Sequence, residues 1–200
     1  MRKTLYILTL FVALLATSNL SQAQKKNNWF VGVGLGGNII ADNGKISPLS
    51  PAGTLYVGDW FNPSLGFRAG LSGILGRPAD ARNNWFSENT AFGLYQLYAD
   101  FLWNIRNTFI PYKSNRVWNP VLYARLDGIL ASSLGVTKGH VGIGGGLANQ
   151  FRVSDFMSIS LDVNAVLTSE KTFRTDHSGG FLVVSNVSLG VVFDLGNRGF

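Results

Sequence analysis

A serine, a histidine and a glutamate occur near one another in the second half of the sequence, and side chains of these types can act together in hydrolysis. Ser132 or Ser133 could supply the nucleophile, His140 could accept its proton, and Glu170 could orient the imidazole. No recognisable nucleophile motif surrounds the two serines, and the other histidine, His177, stands apart from them. The set is therefore one hypothesis for function, and it is not the leading one.

Residue types and spacing exclude several other kinds of site. The absence of cysteine rules out disulfides, thiolate metal sites and a cysteine nucleophile, and the two histidines lack the spacing of metal ligands. Glycine-rich runs at 32–37 and 142–146 lack the Lys-Ser/Thr and the strand–helix setting of a phosphate loop. The net charge of +6 comes from scattered Lys and Arg, which does not indicate a nucleic-acid partner. We expect no metal and no cofactor.

The first 23 residues have the three parts of an export signal. Arg2 and Lys3 form a basic start, an apolar run follows from Leu5 to Ala16, and Ser21-Gln22-Ala23 offers small residues for cleavage. The run is shorter than the ~20 residues that a membrane-spanning helix needs, so an N-terminal anchor is the weaker alternative. We expect residues 1–23 to be removed as a signal peptide and residues 24–200 to form one exported domain.

The segment Thr54–Gly76 sets the pattern for the rest of the chain. Two alternating runs flank the turn signal Asn62-Pro63-Ser64, which predicts an antiparallel hairpin. On its second arm, large apolar residues alternate with glycine, arginine and serine. Charged residues make up only 14% of the sequence, against ~25% in a typical soluble domain. An apolar face with no helices to cover it predicts contact with lipid.

Eight segments alternate in this way. They cover 29–40, 54–61, 64–76, 90–104, 119–131, 140–152, 157–165 and 181–195. Twelve residues of strand, tilted by ~40°, cover roughly the ~25 Å apolar band of an outer membrane. The predicted fold is all-β, an eight-stranded antiparallel up-and-down transmembrane barrel, which satisfies every backbone group without an open edge.

Charged residues inside the strands share the face opposite the apolar one. They are Arg68, Asp100, Arg125, Asp127, Arg152, Asp162 and Asp194. Only Asp59 breaks the rule. An Arg facing lipid at the midplane costs ~2–4 kcal/mol, so this distribution fits an inward face. Because eight strands enclose just enough room for side chains, we predict an ionic network that plugs the lumen, with a small polar pore as the alternative.

Aromatic residues collect at one end of the predicted strands. They are Trp29, Trp60, Phe61, Trp103, Trp118, Phe151, Phe156 and Phe193. Such a belt is typical of a membrane interface, and with both termini periplasmic it predicts a periplasmic aromatic girdle. The predicted external loops are 41–53, 77–89, 132–139 and 168–180. The link 105–118 should be a short periplasmic turn, yet it is long and basic, and the sequence gives no reason for its length.

Four stretches resemble the small outer-membrane β-barrel proteins of Gram-negative bacteria, in particular the N-terminal barrel of the outer membrane protein A family. They are VGDWFNPSLGFRAG (57–70), YADFLWNIRN (98–107), RVWNPVLYARL (116–126) and SLGVVFDLGNRGF (188–200). The resemblance implies insertion by the barrel-assembly machinery, which recognises a last strand ending in an aromatic residue. Phe200 resembles that insertion signal, although Asn197–Gly199 interrupt the alternation before it, so Phe193 is the alternative.

The leading functional expectation is a non-enzymatic protein of the outer membrane. Its partners would be outer-membrane lipid, the assembly machinery during insertion, and an unknown surface ligand held by the external loops. A small porin with a polar lumen is the second hypothesis. A lipid A-modifying hydrolase, built on the serine–histidine–glutamate set, is the third.

Overall fold

The computed structural model describes residues 28–42, 45–46, 49–74, 92–113, 115–133, 136–169 and 180–196. In these ranges the chain forms eight long antiparallel strands, one two-residue strand and one short helix. The elements are β1 Trp29–Asp42, β2 Lys45–Ile46, β3 Ser50–Trp60, β4 Leu65–Ile74, β5 Phe92–Asn104, α1 Ile105–Phe109, β6 Trp118–Ser133, β7 Val136–Arg152, β8 Met157–Ser169 and β9 Phe181–Asp194. Over the described residues, no helix is long and apolar enough to cross a membrane.

Pairing between the first and last long strands closes the sheet. Each long strand pairs with the next long strand along the chain, and β1 also pairs with β9 from Phe30 opposite Asp194 to Ala41 opposite Val183. The result is an up-and-down barrel in which every long strand has two neighbours, so no sheet edge is left open. We call the end at which β1 begins and β9 stops the terminal end, and the opposite end the loop end.

The outside of the barrel is apolar because each strand alternates. Along β8, buried and exposed residues alternate over the whole strand. Leu35, Leu97 and Leu189, on three different strands, are 66%, 63% and 61% exposed. A soluble protein would bury such a surface, whereas hydrocarbon covers it at no cost. The chain is therefore a transmembrane β-barrel of the outer-membrane kind, as the alternation predicts.

The interior is filled in three layers. The terminal apolar layer, at the terminal end, consists of Phe30, Trp60, Leu102, Val121, Ala148 and Val192. The loop-end apolar layer consists of Ile40, Leu94, Ile129, Val166, Leu182 and Val184. Between them lies the ionic layer, built around Arg68, Asp100, Arg125 and Asp162. An eight-stranded barrel has just enough room inside for side chains, and these three layers occupy it.

Inward-facing glycines allow the strands to approach closely, and one of them gives a testable prediction. A Cβ on Gly144 would lie 2.1 Å from the carbonyl oxygen of Ala165, a backbone atom that cannot turn aside. A Cβ on the outward-facing Gly128 would lie 3.6 Å from the carbonyl oxygen of Leu97, an ordinary contact. We expect Gly144→Ala to lower the free energy of unfolding, measured by urea titration in detergent micelles, by about 1–3 kcal/mol.

The control for this substitution is Gly128→Ala, which adds the same methyl group to the neighbouring strand. It should leave stability unchanged or raise it by up to ~1 kcal/mol, because alanine restricts the unfolded chain. Equal losses in the two variants would contradict the close approach of β7 and β8 at Gly144.

Two predicted external loops are shorter than the sequence indicates. The prediction of a loop over 132–139 is wrong, because Ser132 pairs with Thr137 and Ser133 with Val136, which leaves residues 134–135 as the connection. Loop 41–53 is shortened in the same way, since β1 continues to Asp42, β3 already starts at Ser50, and β2 pairs back onto β1. Polar residues carry no hydrophobic signal, but their backbone groups still gain from pairing.

Some predicted features lie outside the described residues. These are the signal peptide 1–23, the loop 77–89, residues 170–179 of the fourth loop and the insertion signal Phe200. They remain predictions.

Candidate functional site

The ionic layer begins as a row of three neighbouring side chains. Arg68 on β4, Asp100 on β5 and Arg125 on β6 are directly opposite one another across the sheet. Arg68 Nη2 lies 2.6 Å from Asp100 Oδ2, and Arg125 Nε lies 2.7 Å from Asp100 Oδ1. All three residues are buried. One carboxylate is therefore held between two guanidinium groups, and each of its oxygens accepts charge-assisted hydrogen bonds.

A fourth charge connects this row to the opposite wall of the barrel. Arg68 Nη1 donates to Asp162 Oδ2 at 3.0 Å, although β4 and β8 are not neighbours in the sheet. The hydroxyl of Tyr123 donates to the other oxygen of Asp162. Arg68 thus bridges the lumen from wall to wall.

Tyrosine rings enclose the two arginines. The guanidinium carbon of Arg125 lies 3.7 Å from the ring centroid of Tyr98. That of Arg68 lies 4.7 Å from the ring centroid of Tyr56 and 4.5 Å from that of Tyr123. Cation–π contacts of this kind stabilise a desolvated cation, and the rings also take up space that water would otherwise fill.

The seven charged residues predicted for the lumen do not form one network. Asp127 is buried beside the ionic layer, where it accepts a hydrogen bond of 2.9 Å from Gln96 Nε2. Arg152 is a correction: its Nη2 lies 2.7 Å from Oδ1 of the exposed Asp155, so it belongs to the turn after β7. Asp194 is half-buried at the terminal end of β9. Arg152 and Asp194 are each the last inward-facing residue of a strand, so they lie at the mouth of the barrel and not in the ionic layer.

Several residues of the site were missed by reasoning from sequence. The tyrosines at 56 and 98 and the two apolar layers all lie on the inward face. A signal for them exists. They occupy the same alternate positions as the inward charges, as Leu94 does two residues before Gln96. Apolar side chains are therefore expected on the inner wall wherever they continue the polar register.

The residues predicted for the girdle share the terminal end of the barrel, and all but Trp60 lie on its outside. Seven of them lie on the outside: Trp29, Phe61, Trp103, Trp118, Phe151, Phe156 and Phe193. Trp60 does not, since it is only 3% exposed and its ring centroid lies 6.0 Å from that of Phe30 inside the barrel. Its inward position follows from the register, because Trp60 pairs with Gly66 on the same face as Tyr56.

The long link 105–118 has a structural reason. It begins with α1, whose N-cap Asn104 accepts a hydrogen bond through Oδ1 from the backbone N–H of Asn107. Asn107 Nδ2 then donates to the carbonyl of Pro63 at 2.7 Å, which fixes the helix to the β3–β4 turn. The rest of the link crosses the terminal mouth, where Lys113 and Arg116 help to line a small polar cavity. The cavity is completed by Tyr112, Asn119, Gln150, Arg152, Ser158 and Asp194.

The serine–histidine–glutamate set is not assembled in the part of the chain that the structure describes. Glu170 lies outside the described residues, and only the backbone of Ser132 and Ser133 is described. His140 lies opposite Ile129, three residues from Ser132, or about 10 Å along the strand. The hydrolase remains an untested hypothesis, which mass spectrometry of lipid A with and without expression would address. No group of three His, Asp or Glu among the described residues could hold a metal ion.

Comparison with known structures supports the architecture. The Neisserial surface protein A superposes with a TM-score of 0.64 at 14% identity, over 86% of this chain and 100% of that chain. Ail, the attachment invasion locus protein of Yersinia pestis, gives 0.49 at 16% identity over 84% and 98% of the two chains. The N-terminal β-barrel domain of Pseudomonas aeruginosa OprF gives 0.47 at 9% identity over 86% and 100%. No protein-family model and no curated protein matches the sequence. The expected resemblance to small outer-membrane barrels is confirmed at the level of the fold.

Proposed function

We propose that this chain, which has the fold of the small eight-stranded outer-membrane barrels, is a non-enzymatic structural or surface-interaction protein with a closed lumen. In the proposed orientation the terminal end is periplasmic and the loop end faces outward. Strand β1 begins and strand β9 stops at the terminal end, where two of the three connections, 61–64 and 153–156, are four-residue turns. The longest connection, between β4 and β5, lies at the loop end together with the one between β8 and β9, and this distribution supports the orientation.

The observation that carries the proposal is the bridge through Arg68. A conducting pore needs a continuous polar path, but Arg68 is bonded to both walls at the middle of the barrel. Apolar layers lie on either side of it, and the link 105–118 lies across the terminal mouth. Ions would have to displace buried ion pairs, which costs several kcal/mol per desolvated charge.

Electrical recording tests the closed lumen. We expect purified protein in planar lipid bilayers to show no steady conductance. Reproducible openings that Asp162→Ala abolishes would overturn the proposal in favour of a small porin. Tyr95→Ala, an outward-facing change on β5, serves as the control for reconstitution, since Tyr95 is exposed on the lipid side and should leave any lumen property unchanged.

Deletion of connections at the loop end tests the interaction role. The connections over 77–89 and 170–179 are the longest at that end, whereas β6 and β7 are joined by residues 134–135 alone. Removing either long connection should leave a folded barrel, because backbone pairing in the strands is untouched. Loss of membrane integrity, or of binding to a host or neighbouring-cell surface, would identify the connection that makes the contact. A barrel that tolerates both deletions without any such change would contradict an interaction role.

A further inference from the structure

A groove of about 950 Å³ runs across the outside of the barrel, from Leu65 on β4 to Val187 on β9. Its floor is a row of small residues that are direct neighbours across four strands: Ala124, Gly145, Ala165 and Ser185. The next row toward the terminal end is large, with Leu122 opposite Leu147 and Val163 opposite Val187. The groove is therefore a depression over small residues beside a row of larger ones, and it lies within the apolar band of the membrane.

The environment of the groove limits what can fill it. Water is excluded from the apolar band of a bilayer, so the occupant must be an acyl chain or another protein surface. The floor follows the pairing direction, which is oblique to the membrane because the strands are tilted. A flexible chain can follow such a path, and it gains van der Waals contacts on three sides instead of one.

The terminal end of the groove leads toward a cation. Trp103 and Leu65 line that end. Below it, the guanidinium carbon of Arg106 on α1 lies 5.4 Å from the ring centroid of Trp118, and Arg106 Nη1 donates to the carbonyl of Trp118 at 3.2 Å. That bond uses one of the five donors of the guanidinium. Trp118 and Leu122 are four residues apart on β6, about 13 Å along the strand, which the glycerol and first methylenes of a phospholipid can span.

We propose that this groove is a binding site for an anionic glycerophospholipid, with one acyl chain over Ala124, Gly145 and Ala165 and the phosphate at Arg106. In the orientation proposed above, the lipid belongs to the periplasmic leaflet. Arginine binds phosphate oxygens through its planar fork, and the tryptophans at 103 and 118 lie at the depth of the headgroups. Lipid elsewhere on the barrel exchanges freely, whereas this molecule is held at both ends.

Native mass spectrometry of the detergent-solubilised barrel with added phosphatidylglycerol tests the site. Wild-type protein should retain one lipid. Ala165→Leu and Ala124→Leu fill the groove from its floor and should lower the retained fraction about tenfold. Ala69→Leu makes the same change at an outward position of β4 that does not line the groove, and should retain the lipid as wild type does.

The phosphate contact has its own pair of variants. Arg106→Gln should lower retention of phosphatidylglycerol about fivefold, since one cation near a membrane surface contributes that much. Lys113→Gln removes a charge from the same link without touching the groove, and should change nothing. The gel-mobility difference between heated and unheated samples checks that each variant is folded.

Two outcomes would overturn the proposal. Equal retention by wild type, Ala165→Leu and Arg106→Gln would mean that the bound lipid is non-specific. A dimer that Ala165→Leu disrupts, with lipid retention unchanged, would mean that the groove takes a second copy of the chain.

Discussion

Replacing Arg68 by alanine is expected to lower the free energy of unfolding by about 3–5 kcal/mol, because it removes one partner from a buried ionic cluster. Asp162 would keep only the hydroxyl of Tyr123 among its described side-chain contacts, and Asp100 would keep only Arg125. The bridge between the two walls would also be lost. Urea titration of the folded barrel in detergent micelles, followed by tryptophan fluorescence, measures the change.

The matched control is Arg152→Ala, which breaks an ion pair at the rim. Its partner Asp155 is 99% exposed at the side chain, so water replaces the lost contact and the cost should be about 0–1 kcal/mol. If both variants lose the same stability, the ionic layer is not the buried, desolvated cluster that its geometry indicates.

Trp60→Ala is the second substitution with a large expected effect. Trp60 packs beside Phe30 in the terminal apolar layer, and truncating a buried Trp leaves a cavity that typically costs about 3–5 kcal/mol. The same urea titration measures it.

The neighbouring residue supplies the control for Trp60. Phe61 is 58% exposed on the outside of the barrel, so lipid or detergent fills the space that Phe61→Ala leaves, and the loss should be clearly smaller. If Phe61→Ala lowered the free energy of unfolding more than Trp60→Ala does, Trp60 would not be packed in the interior of the barrel.

The alternation of the strands was sufficient to predict the fold and the direction of most side chains. Leu97 and Leu189, for example, could be placed on the outside because apolar side chains favour lipid and the polar residues that alternate with them do not. The same reasoning failed for Trp60, because an aromatic residue at a strand end was assigned to the girdle. Inside a narrow barrel, however, apolar side chains also fill space, and only the register shows which wall they are on.

Contacts across the lumen were beyond reach of the sequence. Arg68 and Asp162 are 94 residues apart, and which strand faces which depends on strand tilt and on how the sheet closes. Local signals were also easy to overlook. The side-chain oxygen of Asn104 caps α1 by accepting from the backbone N–H of Asn107. An asparagine in a polar link indicates such a cap only if a helix is already expected after it.

The pairing of β1 with β9 has a consequence for how the molecule forms. Phe30 belongs to the first strand and Asp194 to the last, so the cylinder cannot close until the last strand has been synthesised. Until then β1 lacks its final partner, and its unpaired backbone N–H and C=O groups can bind any extended polypeptide nearby. A chain truncated before residue 181 therefore cannot form a smaller cylinder. We expect it to remain an incomplete sheet that aggregates or is degraded.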